Sequence, residues 1–583
     1  MSTIDHNLGR DNNPNGTLGH AYGHRSGQVG SPKPGAAVPK DQLSKRNVVS
    51  TTGTTEKAPE KLVDIESGRL DTTHDASEDQ ATPSGRSVSW CGVYRRFRLP
   101  IPIVSWSRAM VKVHDAIPSR LRRRLGAVGT VAIFLVGSFA PAETEDNTRA
   151  NRAASLFGLV VMIFAMWITS RNRAAIPWHT VTRGMLSQFI IAVFVLQTHA
   201  GHGLFAFLSY LVRSFLGFAG QGMAFLTGNM RVAETKWFLG SMIPAVTFVI
   251  ALISLFFHVG FTQWFISRLT AWSRVLGVSS TKPVIGAAKI VVTAATPFMG
   301  QAESAVLIRP YISDLTDAEL HQIMTCGFAT ISGSVLASSI YMGLSAPALM
   351  SSCVMSIPAS LAMSKLRYPE TEGALDSGCA IVPVEGEGPK AVNALHAFTN
   401  GAWLGLRIAG MICSTVFSIV AFVSLVNGFL TWWGKYLDIM ADAAPGEGLT
   451  LQLLLGYLFY PVAWLLGVPK QDLRAVGEII GVKIVINEFV AFSALAENTV
   501  ISSRGRMIAA YAGCGFGNIG SLGTQIGVLS RIAPGRAGDV SRVAASALIT
   551  GIISTLSSAA IAGLLYNSDI VGATTTLGQT LSG

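Results

Sequence analysis

Two carboxylates sit inside otherwise apolar sequence. Glu303 lies in Pro297-Phe298-Met299-Gly300-Gln301-Ala302-Glu303-Ser304, and Glu488 lies beside Asn487 in the run Ala475 to Glu497. A carboxylate at bilayer depth costs about 2.5 to 3.5 kcal/mol on insertion scales, so one retained there has a partner or a ligand. Arg309 and Lys483 are near enough in sequence to be structural partners, and pairing does not exclude function. Gln301 and Glu303 together offer amide donors and acceptors beside a carboxylate acceptor, a set that suits the polar edge of a planar base. Glu488, Asn518 and Ser521 offer charged acceptors, amide groups and a rotatable hydroxyl, which is what vicinal sugar hydroxyls need. Phe516 can stack or pack against a ring. Alone, this set implies a small, polar, non-anionic solute. Two carboxylates with no uncompensated Arg nearby argue against a dicarboxylate.

Other chemistries lack their residues. The Gly-rich stretch Gly513 to Gly527 follows no strand and has no Gly-Lys-Ser/Thr ending, so it reads as a close-packed or unwound membrane helix rather than a phosphate loop. No Ser/His/Asp set and no metal-ligand spacing is present, and no enzyme activity or cofactor is expected. His199, His202 and His258 are single residues at helix ends. The six cysteines (Cys91, Cys326, Cys353, Cys379, Cys413, Cys514) are scattered singly and are expected to pack as small hydrophobes.

The elements that must hold these residues are membrane helices. The chain has 583 residues, of which 49% are hydrophobic and 14% charged, against roughly 25% charged in soluble domains. The net charge is +11, but much of the excess falls in Arg95, Arg96, Arg98, Arg108, Lys112, Arg120 and Arg122 to Arg124, just before the first apolar run. Positive-inside topology accounts for that cluster better than nucleic-acid binding does. Residues 1–90 are polar, with no apolar periodicity and no signal-peptide core, and are expected to be a disordered cytosolic tail. A cytosolic tail would keep the Asn15-Gly16-Thr17 sequon from any glycosyltransferase.

Expected spans are Leu125 to Ala140, Leu156 to Thr169, Met185 to Thr198, Phe238 to His258, Ile323 to Met342, Ala346 to Met363, Leu404 to Leu430, Ile508 to Leu529 and Ala544 to Leu565. Leu204 to Phe218 carries Arg213 and is expected along the interface. Trp432, Trp433 and Lys435 read as an interfacial anchor. Val284 to Ile312 and Ala475 to Glu497 are each apolar around a polar centre, the pattern of a helical hairpin with its turn at membrane depth. Each precedes a span with its own Gly- and Ser-rich break. The order hairpin, broken helix, helix therefore occurs twice, which points to a transporter's midplane site.

Four motifs carry a resemblance. They are Gly300-Gln301-Ala302-Glu303 with Leu307 to Tyr311, Gly327 to Val335, Gly481-Val482-Lys483 with Asn487 to Phe492, and Cys514 to Ser521. In order and spacing, from about residue 155 to 565, the chain resembles the concentrative nucleoside transporters. The resemblance implies an all-α polytopic fold: an inverted-repeat homotrimer with two re-entrant hairpins and two unwound helices, divided into scaffold and transport subdomains that work as an elevator. It implies nucleobase contacts at Gln301, Glu303 and Val335, with small Gly300 leaving space beside the base. Ribose contacts fall at Glu488, Asn518 and Ser521, with Phe516 beside the sugar. The sodium site falls at Thr296, Met299, Thr330 and Ile331, with Met299 and Ile331 offering backbone carbonyls. Two positions depart from the family pattern. Ala302 stands where the first hairpin commonly has Thr, and Thr296 where the cation site commonly has Asn; its hydroxyl reaches less far than an amide oxygen.

The expected organisation is a tail (1–90), a basic segment with an extra first helix (91–150), N-terminal scaffold helices (151–280), the first hairpin and unwound helix (281–364), a polar loop (365–395), a long scaffold helix and following span (396–470), the second hairpin and unwound helix (471–566) and a C-terminal tail (567–583). The expected function is nucleoside uptake across the plasma membrane, driven by an inward sodium gradient. Proton coupling through a desolvated carboxylate is the first alternative. An uncoupled channel or receptor on the same fold is the second. The expected partners are the nucleoside, the bilayer and two further copies of the chain.

Overall fold

Where charges are sparse and the chain is apolar, it builds long helices, and where polar or Gly-rich residues interrupt the run, the helices stop short. The computed structural model describes residues 119–141, 143–144, 147–228, 238–261, 264, 300–309, 312, 315–371, 391–439 and 448–567. The long helices are α1 (Ser119–Phe139), α2 (Arg149–Ile168), α3 (Trp178–Gln197), α4 (His199–Leu226), α5 (Phe238–Val259), α9 (Ala346–Arg367), α10 (Ala394–Tyr436) and α17 (Ala537–Leu564). Seven helices among the described residues are long and apolar enough to cross a membrane. One of them is α4, a 28-residue helix, so the segment expected to lie along the interface is the middle of a membrane-length element.

The short elements come in the order read from the sequence. In the first set, α6 (Gln301–Leu307) precedes α7 (Asp317–Ala329) and α8 (Gly333–Tyr341), and α9 follows. In the second, α13 (Leu473–Val485) and α14 (Glu488–Glu497) precede α15 (Ser503–Gly513) and α16 (Ile519–Ile532), and α17 follows. The expected spans Ile323 to Met342 and Ile508 to Leu529 are thus each two helices. A 13-residue helix such as α7 or α13 is about 20 Å long, too short for a hydrocarbon core of about 30 Å. Between the two sets lie α11 (Leu451–Leu458) and α12 (Tyr460–Leu465).

Capping residues place the starts. Thr148, Thr198, Asn393, Asn487, Ser502 and Asn518 each accept a backbone N–H with the side chain, and Thr316 with Glu319 forms a full capping box on α7. The long helix α10 packs chiefly against α5, while α3 packs on α9 and α2 on α17. A Cβ at Gly405 of α10 would lie 2.7 Å from the Thr247 Cα of α5, and one at Gly401 would lie 2.9 Å from the Ala251 Cα. The spacing Gly-x-x-x-Gly gives these backbones their close approach.

Away from the centre, polar side chains tie the elements together. Buried Arg504 at the start of α15 donates to the Gly467 carbonyl and to Asn147, whose amide in turn donates to the Tyr566 carbonyl. Asp317 of α7 pairs with Arg542 at 2.8 Å and Arg536 at 3.5 Å, joining the two repeats at one end. The expected tails, the first arm of the first hairpin (Val284 to Met299) and most of the polar loop lie outside the described residues, as do Cys91 and Cys379.

Candidate functional site

Each broken helix ends in extended backbone. Thr330 closes α7 with φ −126° and ψ 163°, and Asn518 opens α16 with φ −141° and ψ 166°. The two breaks are joined, because the Phe516 N–H donates to the Thr330 carbonyl at 3.1 Å. That bond satisfies two backbone groups that lie outside the flanking helices. Gly515 is what lets the breaks meet: a Cβ there would stand 2.9 Å from the Phe328 carbonyl oxygen and 2.6 Å from Thr555.

Asn518 has a fixed amide orientation. Its Oδ1 accepts the Ser521 N–H at 2.7 Å as the helix cap, which turns its Nδ2 outward to donate to Glu488 Oε2, also at 2.7 Å. Glu488 is the first residue of α14, where the helix dipole stabilises negative charge. Both side chains are buried. Lys483 is fully buried too, but it donates to the Thr555 hydroxyl at 3.1 Å. On the facing repeat, Gln301 opens α6 after the Gly300 cap, and its Nε2 reaches the Ser521 carbonyl at 3.5 Å.

These residues line one cavity. Gln301, Ser332 and Val335 come from the first repeat, and Asn487, Glu488, Phe516, Asn518 and Ser521 from the second. Met242 and Val246 of α5 with Ile412, Thr415, Val416 and Ile419 of α10 form an opposing wall. Three buried polar atoms here have no partner: Gln301 Oε1, Asn487 Nδ2 and Gln525 Oε1. Most buried donors and acceptors are paired, so these three, two on the cavity wall and Gln525 behind it, are available to a polar ligand. The cavity volume of about 50 Å³ is well below the roughly 300 Å³ or more of typical ligand pockets. A ligand larger than a few waters requires the two walls to separate.

Six of the residues read as base and sugar contacts, Gln301, Val335, Glu488, Phe516, Asn518 and Ser521, therefore share one cavity, with Gly300 capping the helix that carries Gln301. Glu303 lies in α6 one residue past Ala302, and its side chain is outside the described set, as are Thr296 and Met299 entirely. Thr330 and Ile331 are buried in the first break. The Thr330 hydroxyl donates to the Cys326 carbonyl at 3.1 Å, which leaves its oxygen lone pairs open to a cation. The Ser521 hydroxyl also holds the local backbone. It donates to the Phe516 carbonyl and accepts the Asn518 N–H at 3.3 Å, so it is part of a capping box. Three further lining or neighbouring residues, Asn487, Ser332 and Gln525, lie outside the expected set. Asn487 adjoins Glu488, and Gln525 follows Ser521 at the i+4 spacing of a helix face, so both carried a readable signal.

Known proteins resemble this chain over most of its length. Family models described as "Na+ dependent nucleoside transporter" match at the N-terminal part over residues 157–230 and the C-terminal part over 348–563. Sodium/nucleoside cotransporter 1 of Mus musculus is 31% identical over 471 residues, covering 78% of this chain and 69% of that protein. Sodium/nucleoside cotransporter 2 of Rattus norvegicus is 32% identical over 439 residues, covering 72% and 64%. Among solved structures, CNTnw in an inward-facing, substrate-bound state matches with a TM-score of 0.60 at 32% identity, covering 71% of this chain and 97% of that one. A double variant of CNTnw in an outward-facing state matches with a TM-score of 0.62 at 33% identity, covering 72% and 99%. The chain belongs to the sodium-dependent, or concentrative, nucleoside transporter family.

Proposed function

We propose that this membrane carrier takes up nucleosides across the plasma membrane, its N-terminus cytosolic, and that an inward sodium gradient drives the uptake. The observation that carries the reading is the meeting of Gln301 from one repeat with the Glu488–Asn518 pair from the other in a single buried cavity. In this reading Gln301 and Glu303 hold the base edge beside Val335. The Glu488 carboxylate and the Asn518 amide take the ribose hydroxyls, and Phe516 packs beside the sugar. Sodium sits between the first hairpin tip and the first break, held by Thr296, Met299, Thr330 and Ile331. The relatives' names, sodium/nucleoside cotransporters, support both substrate and ion.

The narrow cavity supports alternating access. One wall is the α5–α10 pair and the other is built from hairpins and breaks, so sliding one past the other opens the site to either side in turn. The inward- and outward-facing states solved for CNTnw support such an elevator, and three copies assembled as a homotrimer would give it a fixed frame.

The test is uptake of labelled uridine and adenosine into proteoliposomes, with sodium or choline outside, at two pH values. Accumulation above the external concentration with sodium but not choline is the expected result. Accumulation that follows a pH gradient in choline would replace sodium by a proton. Equilibration without accumulation would show an uncoupled pathway and refute coupling.

A further inference from the structure

We propose that Cys353 and Cys514 form a reversible disulfide that pins the second break and switches transport off under oxidising conditions. The two thiols lie 3.4 Å apart, Cys353 in the middle of α9 and Cys514 at the first position after α15. Both are fully buried and free. A disulfide needs the sulfurs roughly 1.4 Å nearer, at about 2.05 Å. Cys514 Sγ donates at present to the Leu349 carbonyl at 3.2 Å, so closing the bond exchanges one contact with α9 for a covalent one.

The chemistry needs only a two-electron oxidant of the peroxide class. Peroxide converts one thiol to a sulfenic acid and releases water. The partner sulfur attacks that centre, the S–S bond forms, the S–O bond breaks, and the departing hydroxide takes the remaining thiol proton to leave as a second water. Peroxide is close to water in size, and the substrate cavity reaches Phe516, two residues beyond Cys514.

The effect on transport follows from position. Cys514 leads directly into Phe516, which bonds Thr330 across the breaks, and into Asn518, which holds Glu488. Tying Cys514 to α9 stiffens the segment that must adjust when a ligand enters. This consequence rests on the nucleoside reading, whereas the cross-link does not.

The test uses the full-length protein in proteoliposomes, treated with hydrogen peroxide and mapped without reduction. A Cys353–Cys514 linked peptide, lighter by two hydrogens, is expected, with uptake reduced by about an order of magnitude and restored by dithiothreitol. Cys353→Ala and Cys353→Ser should transport normally and lose the oxidant response. Absence of the linked peptide would overturn the site, even if the protein transports no nucleoside. A linked peptide with unchanged uptake, or an equal loss in both Cys353 variants, would overturn the switch.

Discussion

Glu488 begins α14 with its carboxylate on the Asn518 amide, and Asn518 in turn caps α16, so the asparagine proposed for recognition also serves folding. Substitutions separate the two roles. Glu488→Gln keeps the shape and removes the charge; losing a charge-assisted hydrogen bond of about 1.5–3 kcal/mol lowers uptake at low substrate by about one to two orders of magnitude. Normal uptake by this variant, with normal amounts in the membrane, would exclude Glu488 from the site. Asn518→Ala removes both roles, so thermal stability falls by about 0.5–2 kcal/mol for the lost cap alongside the loss of transport. Asn518→Asp is more informative, because its oxygen still caps Ser521 while its second oxygen faces Glu488. Two carboxylates at that separation share a proton. This variant is expected to fold, to be inactive at alkaline pH, and to recover part of its uptake on acidification as one carboxyl becomes a donor again. Uptake that is flat with pH would contradict the 2.7 Å pairing.

At the scale of elements, what the sequence revealed depended on whether the signal was local. The hairpin turn at Asn487-Glu488 and both breaks were readable because an apolar membrane run tolerates a polar or Gly-rich interruption only where protein or a water-filled cavity surrounds it. Partner choice was not readable. That α3 lies on α9 and α2 on α17 depends on surfaces that hydropathy treats alike, since lipid tails and apolar side chains make equivalent neighbours. The capping role of the Ser521 hydroxyl was hidden for the same kind of reason: a serine three residues after an asparagine reads as a ligand donor or as a cap until the backbone is seen. Likewise the Gly401–Gly405 spacing has meaning only once α5 is known to lie against it. Gly405→Leu forces the helices apart at Thr247 and Ile250. Overpacking of this kind costs about 1–3 kcal/mol, so the thermal midpoint should fall while substrate affinity in the surviving protein is kept. Unchanged melting would mean that α5 and α10 do not meet at this seam.

For the whole molecule, α10 runs 43 residues, about 65 Å, and forms with α5 the wall past which the repeats are proposed to slide. The face that α16 turns to it is smooth. A Cβ at Gly520 would lie 2.7 Å from Ile419 Cδ1, and one at Gly527 would lie 3.1 Å from Met411 Sδ, so glycines meet large side chains at both contacts. Gly520 borders the cavity, whereas Gly527 lies two turns away and is not among its lining residues. Gly527→Phe therefore tests movement apart from binding. A ring there wedges against Met411 in one position of the moving body and obstructs the others, as a ratchet tooth would. The expected outcome is a maximal uptake rate lowered about tenfold or more, with equilibrium nucleoside binding in detergent changed by less than about threefold, because gating steps limit turnover when a conformational path is obstructed. Met411→Ala should recover part of the lost rate by making room for the ring. If Gly527→Phe weakened binding and left the maximal rate intact, the α10–α16 seam would be part of the site's static packing and no sliding surface at all.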